Sequence, residues 1–70
     1  MAKEIKINTD IIQLDQFLKW ANIVSSGGEA KIVIKEGHIQ VNNVPEQRRS
    51  RKLKIGDEIK VNEEVYVIIQ

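Results

Sequence analysis

The spacing of the apolar residues changes twice along this chain, and these changes limit the folds that it can adopt. Between Lys3 and Ile7 apolar and charged residues alternate, which is the period of a half-buried strand. From Leu14 to Ala21 the apolar residues recur at intervals of three and four, which indicates an amphipathic helix. Alternation returns in the tail, after Gly37. The order strand, two helices and several short strands predicts an α+β fold rather than an alternating α/β fold.

The second helix is marked at both ends. The segment Ser26–Glu29 has the form of a capping box, and Gly37 supplies the left-handed residue that often ends a helix. The start of the first helix is open to two interpretations. Asp10 with Gln13 can cap it, or the β-branched pair between them can extend the preceding strand.

Seventy residues predict one domain, over residues 1–70. We place the core motif at about residues 14–61, with an extra N-terminal strand over residues 3–7 and a C-terminal strand over residues 65–69. Asn42-Asn43 and Gly56-Asp57 are typical of the turns between the strands of the tail.

Positive charge is concentrated in one segment. The chain carries 11 Lys and Arg against 10 Asp and Glu, a net charge of only +1. Five of these cations fall within seven residues that contain no acid, which predicts a focused positive patch on an acidic body. We call residues 48–54 the basic segment, and its cations are Arg48, Arg49, Arg51, Lys52 and Lys54.

Several classes of function lack the residues that they need. With no Cys, the chain has neither a disulfide framework nor a thiolate metal site. His38 is the only histidine and has no Cys, His or paired acid at metal-ligand spacing, so we expect an inert position. No nucleophile motif or Walker-type loop is present in the sequence. We therefore expect no enzyme, no cofactor, no metal and no small-molecule substrate.

Membrane insertion and secretion are not predicted. No apolar run approaches the roughly 20 residues that span a bilayer, and the sequence start lacks the apolar region of a signal peptide. We expect a cytoplasmic monomer without a membrane partner.

Four segments of the chain resemble one known family when they are taken together. They are the runs Gln13–Ala21, Ser25–Lys31, Glu36–Asn43 and Lys54–Ile59. In this order they resemble the RNA-binding domain named after small-subunit ribosomal protein S-four, also called the alpha-L motif. The resemblance implies a two-helix unit packed on a small, curved, mostly antiparallel sheet, with RNA bound across helix and hairpin. Within the family the chain is most similar to small stand-alone bacterial proteins, which implies a role in large ribosomal subunit assembly.

The chain differs from the family pattern at positions expected to contact phosphate. Gln13 stands where many members carry Arg or Lys, and Gly27 and Gly28 stand where a basic residue is common. Both differences shift the expected RNA contact toward the basic segment. The family turn is commonly Asn-Gly, whereas Asn42-Asn43 stands here and adopts positive φ less readily.

We predict that the basic segment contacts RNA phosphates, with each Arg supplying a planar fork and each Lys a point charge. The alternative is a solvated loop that is basic for solubility alone. Lys19, Lys31 and Lys35 either extend this surface or are ordinary lysines on solvated helix faces. The resemblance implies RNA contact most strongly for Lys31, because members of the family contact RNA at the first turn of this helix.

Two other features have competing interpretations. Ser26 and Gly27 can present free helix amides to a phosphate, or can serve only to cap the helix. Phe17 is predicted in the core. Trp20 either packs in the core as well, or covers the sheet with one edge and reaches RNA or a partner protein with the other. Three aromatic residues form no stacking platform for single-stranded bases, which favours structured RNA.

The basic segment and the resemblance together predict an RNA-binding protein. The resemblance implies that it binds structured ribosomal RNA on ribosomal particles during large-subunit assembly. One alternative is an accessory factor that binds DNA or a tRNA–ribosome complex in quality control. Another is a protein-interaction module whose partner has an acidic surface or a groove that receives Trp20.

Overall fold

The computed structural model describes residues 2–70, which form seven strands and two helices. In chain order they are β1 (Lys3–Lys6), β2 (Ile11–Gln13), α1 (Leu14–Trp20), α2 (Gly27–Lys35), β3 (Ile39–Val41), β4 (Val44–Pro45), β5 (Lys52–Lys54), β6 (Glu58–Val61) and β7 (Glu64–Ile69). This order confirms the predicted α+β class.

Five strands form the larger of two sheets, in the order β1-β7-β6-β3-β4. All neighbours in it are antiparallel except β1 and β7, which run parallel at one edge. The remaining strands, β2 and β5, form a separate antiparallel pair in which Ile12 lies opposite Leu53. A loop over the whole basic segment, as in the alternative of a solvated loop, is therefore wrong for the last three residues, which form β5.

One apolar cluster joins the helices to both sheets. Phe17 of α1 is fully buried, as predicted, and its ring meets that of Tyr66 edge to face, with centroids 6.5 Å apart. Leu53 is also fully buried, so β5 is attached to the same core. The other fully buried side chains of this cluster are Leu14, Leu18, Ala30, Ile34, Ile39, Val41, Ile59 and Ile68.

Both predicted ends of α2 are confirmed. The Ser26 hydroxyl accepts a hydrogen bond from the Glu29 amide at 3.2 Å, as in a capping box. Gly37 adopts a φ of +82°, and the amides of Gly37 and His38 donate back to the last turn of the helix. For α1 neither alternative holds as stated. The side chain of Gln13 makes no cap hydrogen bond, and Ile11–Gln13 form a strand, but this strand is β2 of the separate sheet and does not extend β1.

The hairpin between β3 and β4 is built on two Asn residues in the left-handed region. Asn42 has a φ of 52° and Asn43 a φ of 69°, the pair of positive values that a type I′ turn requires. The side-chain amide of Asn42 donates to the buried Asp57 carboxylate at 3.2 Å. The same carboxylate accepts a hydrogen bond from the Lys54 amide at 2.9 Å, so it links this turn to the end of the basic segment.

Candidate nucleic-acid interface

The backbone of the basic segment is fastened to the start of α1. The Leu14 amide donates to the Arg51 carbonyl at 2.8 Å, and the Asp15 amide donates to the Arg49 carbonyl at 3.2 Å. The first amides of a helix have no partner inside it, and here the segment supplies the partners. The arginine side chains consequently project from a fixed backbone rather than from a free loop.

A second contact places the start of the segment at the C-terminal end of α2. The Gln47 side-chain amide donates to the Lys35 carbonyl at 3.3 Å. Lys35 therefore lies at the end of α2 that adjoins the basic segment. Lys31 lies one turn earlier on the same helix face, and both lysines are exposed. The structure thus brings these two predicted residues toward the basic segment.

Residues 48–51 form a tight turn that sets two arginines side by side. The Arg51 amide donates to the Arg48 carbonyl at 3.3 Å, which closes a four-residue β-turn. Arg49 and Ser50 occupy the tip of this turn and are exposed. The two outer residues of a β-turn lie close together, so Arg48 and Arg51 project from neighbouring positions.

One buried acid, Glu46, pairs with both of these arginines. Its Oε1 accepts from Arg51 Nη1 at 2.7 Å, and its Oε2 accepts from Arg48 Nε and from the Arg48 amide, each at 3.2 Å. The Glu46 side chain is 9% exposed, against 74% for Arg48 and 35% for Arg51. Burial alone raises the pKa of Glu46, but the arginine hydrogen bonds outweigh burial and lower it from 4.5 to about 2.

Glu46 was not identified from the sequence as part of the candidate site. It lies two residues before Arg48, outside the acid-free run that defines the basic segment. The signal in the sequence is a lone acid two residues before an arginine-rich run. Because two guanidinium groups share one carboxylate, the five cations of the segment and Glu46 together retain a formal charge of plus four.

The other three cations of the basic segment are not neutralised by the protein. Among residues 2–70, no carboxylate oxygen lies within 4 Å of the charged nitrogens of Arg49, Lys52 or Lys54. In β5 the buried Leu53 stands between the two exposed lysines, so both lysines point away from the core.

A surface concavity of about 310 Å³ lies at the turn and is lined by Arg48, Ser50, Arg51 and Lys52. The side chains of Arg48, Arg51 and Lys52 only donate hydrogen bonds and carry positive charge, and the Ser50 hydroxyl can also donate. This lining suits an anion such as a phosphate group.

Three of the predicted site residues lie farther from the basic segment. Ser26 and Gly27 stand at the opposite end of α2 from Lys35, about 13 Å away at 1.5 Å per residue. The Ser26 hydroxyl is engaged in the cap. Lys19 lies near the C-terminal end of α1, about 7 Å along the helix from Leu14. These residues can only extend a contact surface along the helices and do not line the concavity.

Trp20 lies at the margin of the core, beside β1. Its indole Nε1 donates to the Lys6 carbonyl at 2.8 Å, and 52% of the residue is exposed. The indole therefore ties the end of α1 to the edge strand and leaves part of its ring on the surface.

The described part of the chain shows neither a metal-binding cluster nor a membrane-spanning helix. Residues 2–70 contain no group of three or more His, Cys, Asp or Glu side chains arranged to hold a metal ion. Neither of the two helices described there has the length and apolar character that crossing a bilayer requires.

Comparison with known proteins identifies relatives of this chain. The family model described as "S4 domain" matches residues 5–69. A Bacillus subtilis (strain 168) protein named "Probable ribosome maturation protein RlbA" is 46% identical over 61 residues, which cover 87% of this chain and 86% of that protein.

Among solved structures, the chain is similar to the 30S ribosomal protein S4e from Thermoplasma acidophilum. The TM-score is 0.65 at 17% sequence identity, over 86% of this chain. The match covers 32% of the ribosomal protein, so the chain spans about a third of its length. This likeness concerns the fold, two helices with a mostly antiparallel sheet.

Proposed function

The chain belongs to the S4 domain family of RNA-binding proteins, and on this premise we propose that it binds structured ribosomal RNA through the phosphate backbone. The proposed contacts are made by the basic segment, with help from Lys31 and Lys35. Ser26, Gly27 and Lys19 lie farther along the helices, so we assign them at most a peripheral contact. The observation that carries the proposal is the attachment of the segment to the first amides of α1, which holds its cations on a rigid support.

Rigid attachment matters because binding a polyanion otherwise costs side-chain and loop entropy. Any arginine-rich segment loses about 0.5–1.5 kcal/mol for each long side chain that binding immobilises, and a free loop must in addition order its backbone. Here the segment backbone is already held at both ends, by α1 and by the Asp57 carboxylate. Exposed cations on such a support suit an A-form helix, which proteins recognise largely by shape and by phosphate and 2′-hydroxyl contacts.

We further propose that the protein acts in ribosome maturation, on cytoplasmic particles of the large subunit, without catalysing a reaction. The name of the Bacillus subtilis relative supports a role in maturation. The resemblance to small bacterial members of the family supports the large subunit.

The direct test neutralises the three arginines of the basic segment. Arg48→Gln, Arg49→Gln and Arg51→Gln together are expected to weaken binding to a large-subunit ribosomal RNA transcript by at least roughly tenfold. The slope of log affinity against log salt should flatten by about one for each phosphate that the variant no longer neutralises. Fluorescence anisotropy over a salt series measures both quantities. Unchanged affinity and slope would disprove the proposed contacts.

A matched control removes the same charge elsewhere. Lys3, Lys6 and Lys60 lie in the larger sheet, outside the candidate interface, and their triple change to Gln also removes three positive charges. We expect this control to weaken binding much less than the arginine variant. Equal reductions in affinity would indicate that net charge alone, without a defined surface, governs binding.

Competition with duplex DNA and nuclease treatment of recovered particles distinguish the alternative functions. Structured RNA should displace labelled ribosomal RNA more effectively than duplex DNA of equal length at the same salt concentration. Recovery of ribosomal particles with the protein should be abolished by nuclease treatment. If recovery survived nuclease and required Trp20, the protein would instead be an interaction module.

A further inference from the structure

The buried carboxylate beneath the basic segment is a feature that RNA binding by positive charge does not explain. An acid next to a polyanion site lowers the local positive potential, so simple electrostatics predicts that it weakens binding. Glu46 nevertheless lies directly under the concavity-lining arginines, with both carboxylate oxygens engaged by them. Its position is set by the fold, since its own amide donates to the Ile39 carbonyl at 3.1 Å.

The carboxylate leaves most arginine donors free. A guanidinium group carries five N–H donors, of which Arg48 uses the one on Nε and Arg51 uses one on Nη1. The two Nη groups of Arg48 therefore remain available, and its side chain is largely exposed. Two parallel N–H donors on one guanidinium are what bidentate recognition of a phosphate requires.

Without the carboxylate, the two guanidinium groups would not stay together. They project from neighbouring positions of a β-turn, and like charges at that separation repel each other. Each arginine would also recover its rotamer freedom, which phosphate binding would then remove again. A shared acid on the buried side cancels the repulsion and fixes both side chains before any ligand arrives.

We propose that Glu46 is a positioning residue, which holds Arg48 and Arg51 as a preformed pair around the concavity so that both donate to one backbone phosphate of the RNA. The inference rests on the proposed function and adds a defined phosphate-binding site to it. The benefit of a preformed arginine pair exceeds the cost of one buried negative charge. Glu46 itself does not contact the RNA.

The test is a variant that gains positive charge and yet binds RNA less tightly. Glu46→Gln removes one negative charge and leaves a group of similar size. We expect it to bind a large-subunit ribosomal RNA transcript roughly five- to tenfold more weakly than the unchanged protein, with a flatter salt slope. Glu63→Gln is the matched control, since it makes the same charge change in the exposed turn before β7. The control should bind as tightly as the unchanged protein or slightly more tightly.

A comparison in a protein that lacks both arginines distinguishes positioning of the arginines from a general structural role of Glu46. Glu46→Gln is combined with Arg48→Gln and Arg51→Gln and compared with the two arginine changes alone. If Glu46 acts through the arginines, its replacement should lower affinity no further in this background. An equal reduction of affinity in both backgrounds would overturn the inference, and so would undiminished affinity of Glu46→Gln in the otherwise unchanged protein.

Folding is checked by urea denaturation of each variant. Glu46→Asp is the second variant, which keeps the charge but shortens the side chain by one methylene. We expect it to fall between the unchanged protein and Glu46→Gln in affinity, and full affinity in a folded Glu46→Asp protein would also contradict positioning.

If the arginine variants bind RNA more weakly while Glu46→Gln does not, this inference fails and the proposed function stands. If the arginine variants keep full affinity, the proposed function fails.

Discussion

Replacement of Glu46 by Gln is expected to destabilise the fold at neutral pH and to have a smaller effect in acid. The arginine hydrogen bonds hold the pKa of Glu46 at about 2 in the folded protein, against an ordinary value of 4.5. At 1.36 kcal/mol per pH unit, this difference corresponds to about 3 kcal/mol of folding free energy. One arginine partner is 74% exposed, so solvent screening reduces the expected contribution to about 1–2 kcal/mol.

The sign of the pH dependence follows from the direction of the pKa change. Because the folded pKa lies below the unfolded one, the ionised carboxylate stabilises the fold fully above about pH 5.5. The contribution then decreases as pH falls from 4.5 through about 2, as the carboxylate becomes protonated. The difference in unfolding free energy between the two proteins should therefore drop to less than half of its neutral value by about pH 3.

Urea denaturation monitored by the fluorescence of Trp20, the only tryptophan, measures this difference. The unchanged protein and the Glu46→Gln variant are compared at a series of pH values between neutral and about pH 3. Every other carboxylate is common to both proteins, so its titration cancels in the difference. A difference that stays constant with pH, or a variant as stable as the unchanged protein at neutral pH, would refute the ionic pairing of Glu46 with the arginines.

Three other substitutions probe the supports of the fold, each by urea denaturation. Leu53→Ala should cost about 2–5 kcal/mol, because it truncates a fully buried side chain and β5 detaches from the core; a cost below about 1 kcal/mol would contradict this packing. Ser26→Ala should cost about 1 kcal/mol, since the Glu29 amide is left without its cap, and an unchanged midpoint would indicate that the cap is dispensable. Gly37→Ala should cost about 1–2 kcal/mol through its φ of +82°, as the added methyl group meets only Gln47 Nε2 at 3.9 Å; a stabilised variant would show that the backbone relaxes there.

Features of the fold that depend on neighbouring residues could be predicted from the sequence. The period of the apolar residues located α1, and Ser26 with Gly37 located both ends of α2. The Asn42-Asn43 turn was also located, and the structure adds that an Asn side chain bonded to Asp57 supports its positive φ values. The helix period, the Ser26 cap and the two-residue turn each involve residues a few positions apart, so local chemistry locates them. The bond from Asn42 to Asp57 spans 15 residues and is formed only by the fold.

The pairing of β2 with β5 could not be predicted in this way. The two strands are short and lie about 40 residues apart, and only the closed fold brings them into register. The same closure carries the carbonyls of Arg49 and Arg51 to the free amides of α1. Strand pairing over such a distance depends on the packing of the whole core rather than on any local pattern.

The amino-acid sequence by itself determined the fold class, both helices and where positive charge is concentrated. Only the tertiary structure decided how that charge is presented. A count of charges along the chain records their order but not which of them share a buried site, and Glu46 became part of the candidate interface only through the fold. Burial of the Glu46 carboxylate limits its access to water, which strengthens its attraction to the two guanidinium groups and holds Arg48 and Arg51 in a defined arrangement.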